Sequence, residues 1–152
     1  MSPANKPAYV KFWVPGVPAP GGSKKAFRHA ATNRTVVIDD AKGNRAWRAR
    51  VALFATEAMK GRTPFAGPIE AWATFRVVRP KGHYGTGRNA KRLRDAAPAY
   101  PTTRPDATKL WRAAEDACTG VVWFDDSQVV AQHVFKLWGD QPGVLIEACV
   151  LC

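Results

Sequence analysis

Hydrophobic positions recur with a helical period in two stretches of this chain and fall into short β-rich runs elsewhere. The first run, Tyr9 to Val14, stops at Pro15-Gly16-Val17-Pro18-Ala19-Pro20-Gly21-Gly22. Proline and glycine at that density cannot continue a strand, so this segment is a loop. Thr35 to Ile38 predicts a short strand, and the acidic pair Asp39-Asp40 behind it marks a helix start. From Asp40 to about Lys60, Trp47, Val51, Phe54 and Ala58 form the stripe of an amphipathic helix, which Gly61 ends. Ile69 to Val78 alternates, with Ile69, Ala71, Ala73, Phe75 and Val77 on one face, and predicts a strand closed by Arg79-Pro80.

A second helix is predicted over Asp106 to Cys118, with Leu110, Ala114, Ala117 and Cys118 on its buried stripe and Thr119-Gly120 as its stop. Val121 to Phe124 is a short hydrophobic extended run that ends at Asp125-Asp126. Ser127 to Trp138 and Val144 to Leu151 read as two strands joined by a Gly139 to Gly143 turn, and so as a hairpin. No internal repeat is evident. The mixed order of elements predicts an α+β fold over residues 1–152, one small domain in which a mixed β-sheet packs against two main helices.

Composition agrees with a single packed domain, since 46% of the 152 residues are hydrophobic and 11% aromatic. The longest apolar runs are only a few residues, far short of the roughly 20 that span a bilayer, and the start lacks a secretory pattern. A soluble cytoplasmic protein, away from membranes, is the expectation. Cys118, Cys149 and Cys152 make an odd set; the terminal CxxC has no second pair or His cluster to complete a zinc site. Reduced thiols are therefore expected.

Charge changes the picture more. Lys and Arg number 23 against 12 Asp and Glu, a net charge of +11, which points to a polyanionic partner. The excess is concentrated between Arg79 and Arg112, where nine basic residues face two acidic ones. Most of that interval is a Gly- and Pro-rich basic loop at about 79–105, and a loop so long in a small domain carries function or is disordered. Within this basic chain five carboxylates, Asp106, Glu115, Asp116, Asp125 and Asp126, fall within 21 positions. Taken singly, Asp106 is a helix cap and Asp125-Asp126 a solvated turn. Taken together beside basic residues, they suit Mg²⁺, which takes carboxylate, water and phosphate oxygens and assists phosphodiester hydrolysis.

The stretch from Arg104-Pro105-Asp106 through Leu110, Arg112, Asp116-Ala117, Thr119-Gly120 and Trp123 to Asp125-Asp126-Ser127-Gln128-Val129-Val130 and Lys136 resembles the RusA family of Holliday junction resolvases. That family's signature runs approximately PDxDNLxKAxxDALtGxxWxDDsQVV with a lysine some residues later. The resemblance is strong over about 30 residues and weaker at the Pro-rich loop and at His83 to Gly87, which is similar to phage-borne members. It implies a RusA-like α+β nuclease that binds four-way junction DNA as a homodimer and makes paired incisions with Mg²⁺, with Mn²⁺ able to substitute. A two-fold dimer would set one active site on each of two equivalent strands.

Carried over by residue, the resemblance makes Asp106, Asp125 and Asp126 metal ligands. Arg112 stands at the family's catalytic lysine and, with Lys109, would stabilise the phosphate; its pKa is too high for proton transfer. Thr108 occupies the place of the second metal-binding Asp, so a hydroxyl-held water, or Asp116 or Glu115, must complete the site. Asp116 lies roughly 12 Å along the helix from Thr108. Lys24, Lys25, Arg28, Arg88, Lys91, Arg92, Arg94 and Arg104 are the expected DNA-backbone contacts. His29, His83 and His133 are scattered and read as surface residues; Trp111, Trp123 and Trp138 read as core or interface, and Trp13, Phe27 and Tyr84 as base-stacking candidates. Two other readings stand beside the nuclease: a non-catalytic junction-binding relative weakened at position 108, and a basic RNA- or ribosome-associated domain.

Overall fold

The computed structural model describes residues 8–22, 24–39 and 43–152. Six strands and two principal helices follow in the order β1 (Tyr9–Pro15), β2 (Lys24–Arg28), β3 (Thr35–Asp39), α1 (Asn44–Met59), β4 (Ile69–Val77), α2 (Ala107–Cys118), β5 (Val129–Trp138) and β6 (Gly143–Val150). The main sheet is mixed, in the order β1-β6-β4-β5, with β4 parallel to β5 and β6 antiparallel to both β4 and β1. This is the α+β arrangement expected from the sequence. The β2-β3 pair forms a separate two-stranded ribbon; its first strand follows the Pro-rich loop and is not among the strands expected from the sequence.

One face of the sheet makes the core. Phe12, Ile146, Ala73 and Val134 lie side by side across all four strands, and the flanking Val14, Phe75 and Val144 are fully buried. Against this face pack Trp47, Val51, Ala55 and Met59 of α1 and Leu110, Trp111, Ala114 and Cys118 of α2. Burying each large apolar side chain contributes about 1.5–3 kcal/mol, so this contact surface holds the two layers together. The α1 stripe is shifted from the predicted one, because Phe54 and Ala58 are only partly buried where Ala55 and Met59 are fully so. Gly43, left-handed at φ 79°, precedes the helix; the predicted start at Asp40 falls outside the described residues.

The expected hairpin of the last two strands does not form. β4 lies between β5 and β6, and the four residues 139–142 straddle its end. Crossing one intervening strand takes about 10 Å, within reach of such a link. Gly139 makes the close pass, since a Cβ there would stand 3.0 Å from the Arg76 side chain. Burial explains the order: Ile69, Ala71, Ala73 and Phe75 of β4 and Val144, Ile146 and Ala148 of β6 are all fully buried, whereas β5 carries Gln132, His133 and Lys136 and takes an edge.

Because β4 and β5 are parallel, their connection must cross over the sheet. The basic loop and α2 are that crossover. The loop is folded, with 3₁₀ turns at Lys81–His83 and Gly87–Asn89 and a bridge between Tyr84 and Leu93. Val121 to Phe124 is a turn with isolated bridges from Trp123, not an extended strand, and Asp126–Gln128 is a 3₁₀ turn ahead of β5.

Candidate active site

Two short constructions at opposite ends of α2 set the carboxylates. At its start, the side chain of Lys136 on β5 donates to the carbonyls of Thr103 (2.7 Å) and Pro105 (2.9 Å), pinning the backbone that enters Asp106. Asp106 is the N-cap residue by backbone position, yet its carboxylate accepts no capping hydrogen bond. That group is exposed, and its charge is available to a ligand at the positive end of the helix.

Beyond the other end, Gln128 anchors the Asp125-Asp126 turn. Its Nε2 donates to the carbonyls of Phe65 and Gly67, while its Oε1 accepts from the N–H groups of Phe124 and Asp125. Asp125 Oδ1 accepts from the Ser127 N–H at 2.8 Å, closing a capping box. Hydrogen bonding by Ser127, side chain first and then backbone, holds the Asp125 carboxyl below the usual range. Asp125 is thus a structural cap, with the Asp126 side chain bonded to it.

The charge of Asp126 reaches Glu115. Burial first, then the charges of Asp126 and Asp116, push the half-buried Glu115 carboxyl above its ordinary pKa, with Arg112 acting in the opposite sense. Asp126, Glu115 and Arg112 therefore form one electrostatic group. Asp116 turns to Arg48 of α1 at 3.7 Å. Asp106 stands nine residues before Glu115, about 13 Å along the helix axis. Among the described residues no group of three His, Cys, Asp or Glu side chains is placed to hold one metal ion. A cage of Asp106, Asp125 and Asp126 is accordingly not assembled. The residues fit an ion held at Asp126 and Glu115 and completed by water and phosphate oxygens, the usual manner of Mg²⁺. Thr108 is exposed on the first turn of α2.

The Pro-rich loop frames the same helix. Gly21 donates its N–H to the Lys109 carbonyl at 2.8 Å, and Asn44 Nδ2 to the Pro20 carbonyl at 2.8 Å. Gly21 approaches so closely that a Cβ would stand 3.1 Å from the Ala113 backbone, and one on Gly22 would stand 2.6 Å from Arg112 Nη1. The loop thus buttresses the guanidinium that the sequence assigns to phosphate. Proline and glycine content made this segment readable as a loop; nothing in it revealed the docking on α2.

The basic candidates are placed unevenly. Arg88, Lys91, Arg92 and Arg94 are exposed on the folded loop, Arg104 is exposed beside Asp106, and Arg28 is exposed on β2. Lys24 and Lys25 also lie on β2, with side chains outside the described part. Arg94 Nε donates to the Tyr84 carbonyl, so that side chain also shapes the loop. Trp138 ties the loop to the sheet: its indole N–H and Arg79 Nη1 both donate to the Pro98 carbonyl, the Arg79 guanidinium lies 5.1 Å over its ring, and His83 meets it edge-on at 5.3 Å. His133 pairs with Glu70 and stacks on Trp72 on the sheet face away from the helices, while Trp111 and Trp123 are core residues.

No helix among the described residues is long and apolar enough to cross a membrane. An uncharacterized protein of Bacillus subtilis (strain 168), YqaN, is 29% identical over 138 residues, spanning 89% of this chain and 92% of its own. Residues 15–148 match the family model described as endodeoxyribonuclease RusA, which takes in the Pro-rich loop, the basic loop, α2 and the Asp125-Asp126 turn. With that match covering most of its length, the chain belongs to the RusA endodeoxyribonuclease family.

Proposed function

We propose that this protein is a Mg²⁺-dependent endonuclease that resolves four-way DNA junctions by paired incisions as a homodimer. The observation that carries the reading is the grouping of Asp126 and Glu115 with Arg112, on a chain of net charge +11. A protein that only gripped DNA would gain nothing from opposing carboxylates on its basic surface, because they weaken its attraction for phosphate.

Asp126 and Glu115 would hold the Mg²⁺, which would supply positive charge to the phosphate and lower the pKa of a water. The chain's own residues do the rest. Arg112, always cationic, holds the scissile phosphate by paired N–H donation and does not exchange protons. Asp126 accepts a hydrogen bond from the attacking water and orients it. Glu115, whose carboxyl without the ion is pushed up by burial and by its acidic neighbours, would gain a compensating positive charge beside Asp126. Arg88, Lys91 and Arg92 hold the arms of the junction by phosphate contact.

The test is a labelled four-way junction and a linear duplex, each incubated with Mg²⁺ or with EDTA, using wild type and Asp126→Asn. Symmetrical nicks confined to the junction, dependent on Mg²⁺ and absent from the variant, are expected. Tight binding without nicks in any divalent metal would overturn the enzyme and leave a junction-binding protein.

A further inference from the structure

Between the end of the main sheet and the basic loop lies a cleft of about 650 Å³ that shares no residue with the carboxylate site. Arg76 and Arg79 line it from β4 and the residues after it, Trp138 and Asp140 from the end of β5, and Lys91 from the loop. Three cations thus share one recess with a single carboxylate.

The chain's own contacts tie this recess together. The Arg79 guanidinium lies 5.1 Å over the Trp138 ring and donates through Nη1 to the Pro98 carbonyl at 2.8 Å, and the Trp138 indole N–H donates to the same carbonyl at 3.0 Å. Gly139 passes so close that a Cβ there would stand 3.0 Å from Arg76 Cβ, so the bare glycine leaves room for the arginine stem. Arg76 and Lys91 are exposed, and among the described residues they make no hydrogen bond or ion pair. Their donors are open to a ligand. A guanidinium and an ammonium beside a second, fixed guanidinium suit an anion with several oxygens, and phosphate is the group that matches.

Position decides which phosphate. β5 begins next to the Asp125-Asp126 turn, and its ten residues end at this cleft, so the two stand up to about 30 Å apart. A strand of duplex DNA advances about 3.4 Å per nucleotide, which places a phosphate here on an arm of the junction, up to about nine nucleotides from the cut.

We propose that the cleft seats one backbone phosphate of a junction arm away from the cut, held by Arg76 and Lys91 beside Arg79, and that Asp140 opposes it and limits how tightly it is held. The proposal rests on the nuclease reading. It adds Arg76 to the DNA surface, and it concerns the backbone and not the bases.

The experiment uses four-way junctions in which one phosphate at a time, out to about ten nucleotides from the branch point, is replaced by an uncharged methylphosphonate. Binding is followed by fluorescence anisotropy in EDTA, and nicking with Mg²⁺. In the wild type one arm position well away from the cut should cost about 5-fold in affinity, the scale of one exposed ion pair. In Arg76→Ala the same replacement should cost nothing, because the partner charge is already gone; a merely structural role would weaken every junction alike. On the unmodified junction Arg76→Ala should bind about 5-fold more weakly, with unchanged Tm and a slope of log affinity against log salt lower by about 1. Asp140→Asn, which keeps the shape and removes the charge, should bind about 3-fold more tightly.

Penalties that are equal in wild type and Arg76→Ala at every phosphate overturn the cleft, and Mg²⁺-dependent nicking of the same junctions leaves the nuclease standing. An Asp140→Asn variant that binds no more tightly overturns the part given to the carboxylate. A phosphate coupled to Arg76 without nicking in any metal keeps the cleft and removes the nuclease. Absence of junction binding in EDTA overturns both.

Discussion

Lys136 offers the sharpest test of how the fold positions its chemistry. Its ammonium donates at 2.7 Å to the Thr103 carbonyl and at 2.9 Å to that of Pro105, and so fixes the segment that delivers Asp106 to the start of α2. Lys136→Met keeps the apolar stem and removes both bonds. Hydrogen bonds from a charged donor contribute about 1.5–3 kcal/mol each, but Thr103 is exposed and its carbonyl rehydrates, so the net loss is about 2 kcal/mol. For a domain of this size that is a fall in Tm of about 4–8 °C, read by calorimetry or circular dichroism. The acceptors are neutral carbonyls, so added salt should change the loss little. Junction nicking should fall more than junction affinity, because the basic loop keeps its own ties to Trp138. A variant that melts within about 1 °C of wild type refutes the clamp. If nicking is nevertheless abolished, Lys136 acts on the substrate and not on the loop.

Other substitutions probe the remaining parts. Glu115→Gln should raise Tm at neutral pH: the folded pKa lies above the unfolded one, so ionisation disfavours the fold as pH rises through it, and the gain should vanish below about pH 4. A Tm difference independent of pH would contradict the crowding of Glu115 by burial and Asp126. Gln128→Ala loses the bonds to Phe65, Gly67, Phe124 and Asp125 and should cost about 2 kcal/mol in chemical denaturation, together with most of the nicking activity. Arg92→Ala should weaken junction binding and flatten the slope of log affinity against log salt by about 1; an unchanged slope removes that loop from the DNA surface. Burial, with a smaller contribution from Glu115, pushes the Cys118 thiol up to about 12, so a thiol reagent should label exposed Cys152 in the native protein and Cys118 only on unfolding.

The local features were legible because they are written in short-range periodicity and composition. The β4 alternation, the α2 stripe, the turn at Thr119-Gly120 and the basic loop each depend on residues a few positions apart. The charge excess, the five neighbouring carboxylates and the family signature likewise stand in one continuous stretch. What the sequence could not contain was the pairing of distant segments. Val129–Trp138 and Gly143–Val150 look like a hairpin locally, yet the wholly apolar inward face of β4 claims the place between them, because the centre of a sheet buries more surface than its edge. Asp106 and the Asp125-Asp126 turn stand beyond opposite ends of α2, and only the fold brings the charge of Asp126 to bear on Glu115, one of the side chains the sequence offered to complete the site. The sequence determined which chemistry the chain carries; tertiary packing decided which of those side chains meet, since that depends on contacts across many tens of residues and not on spacing along the chain.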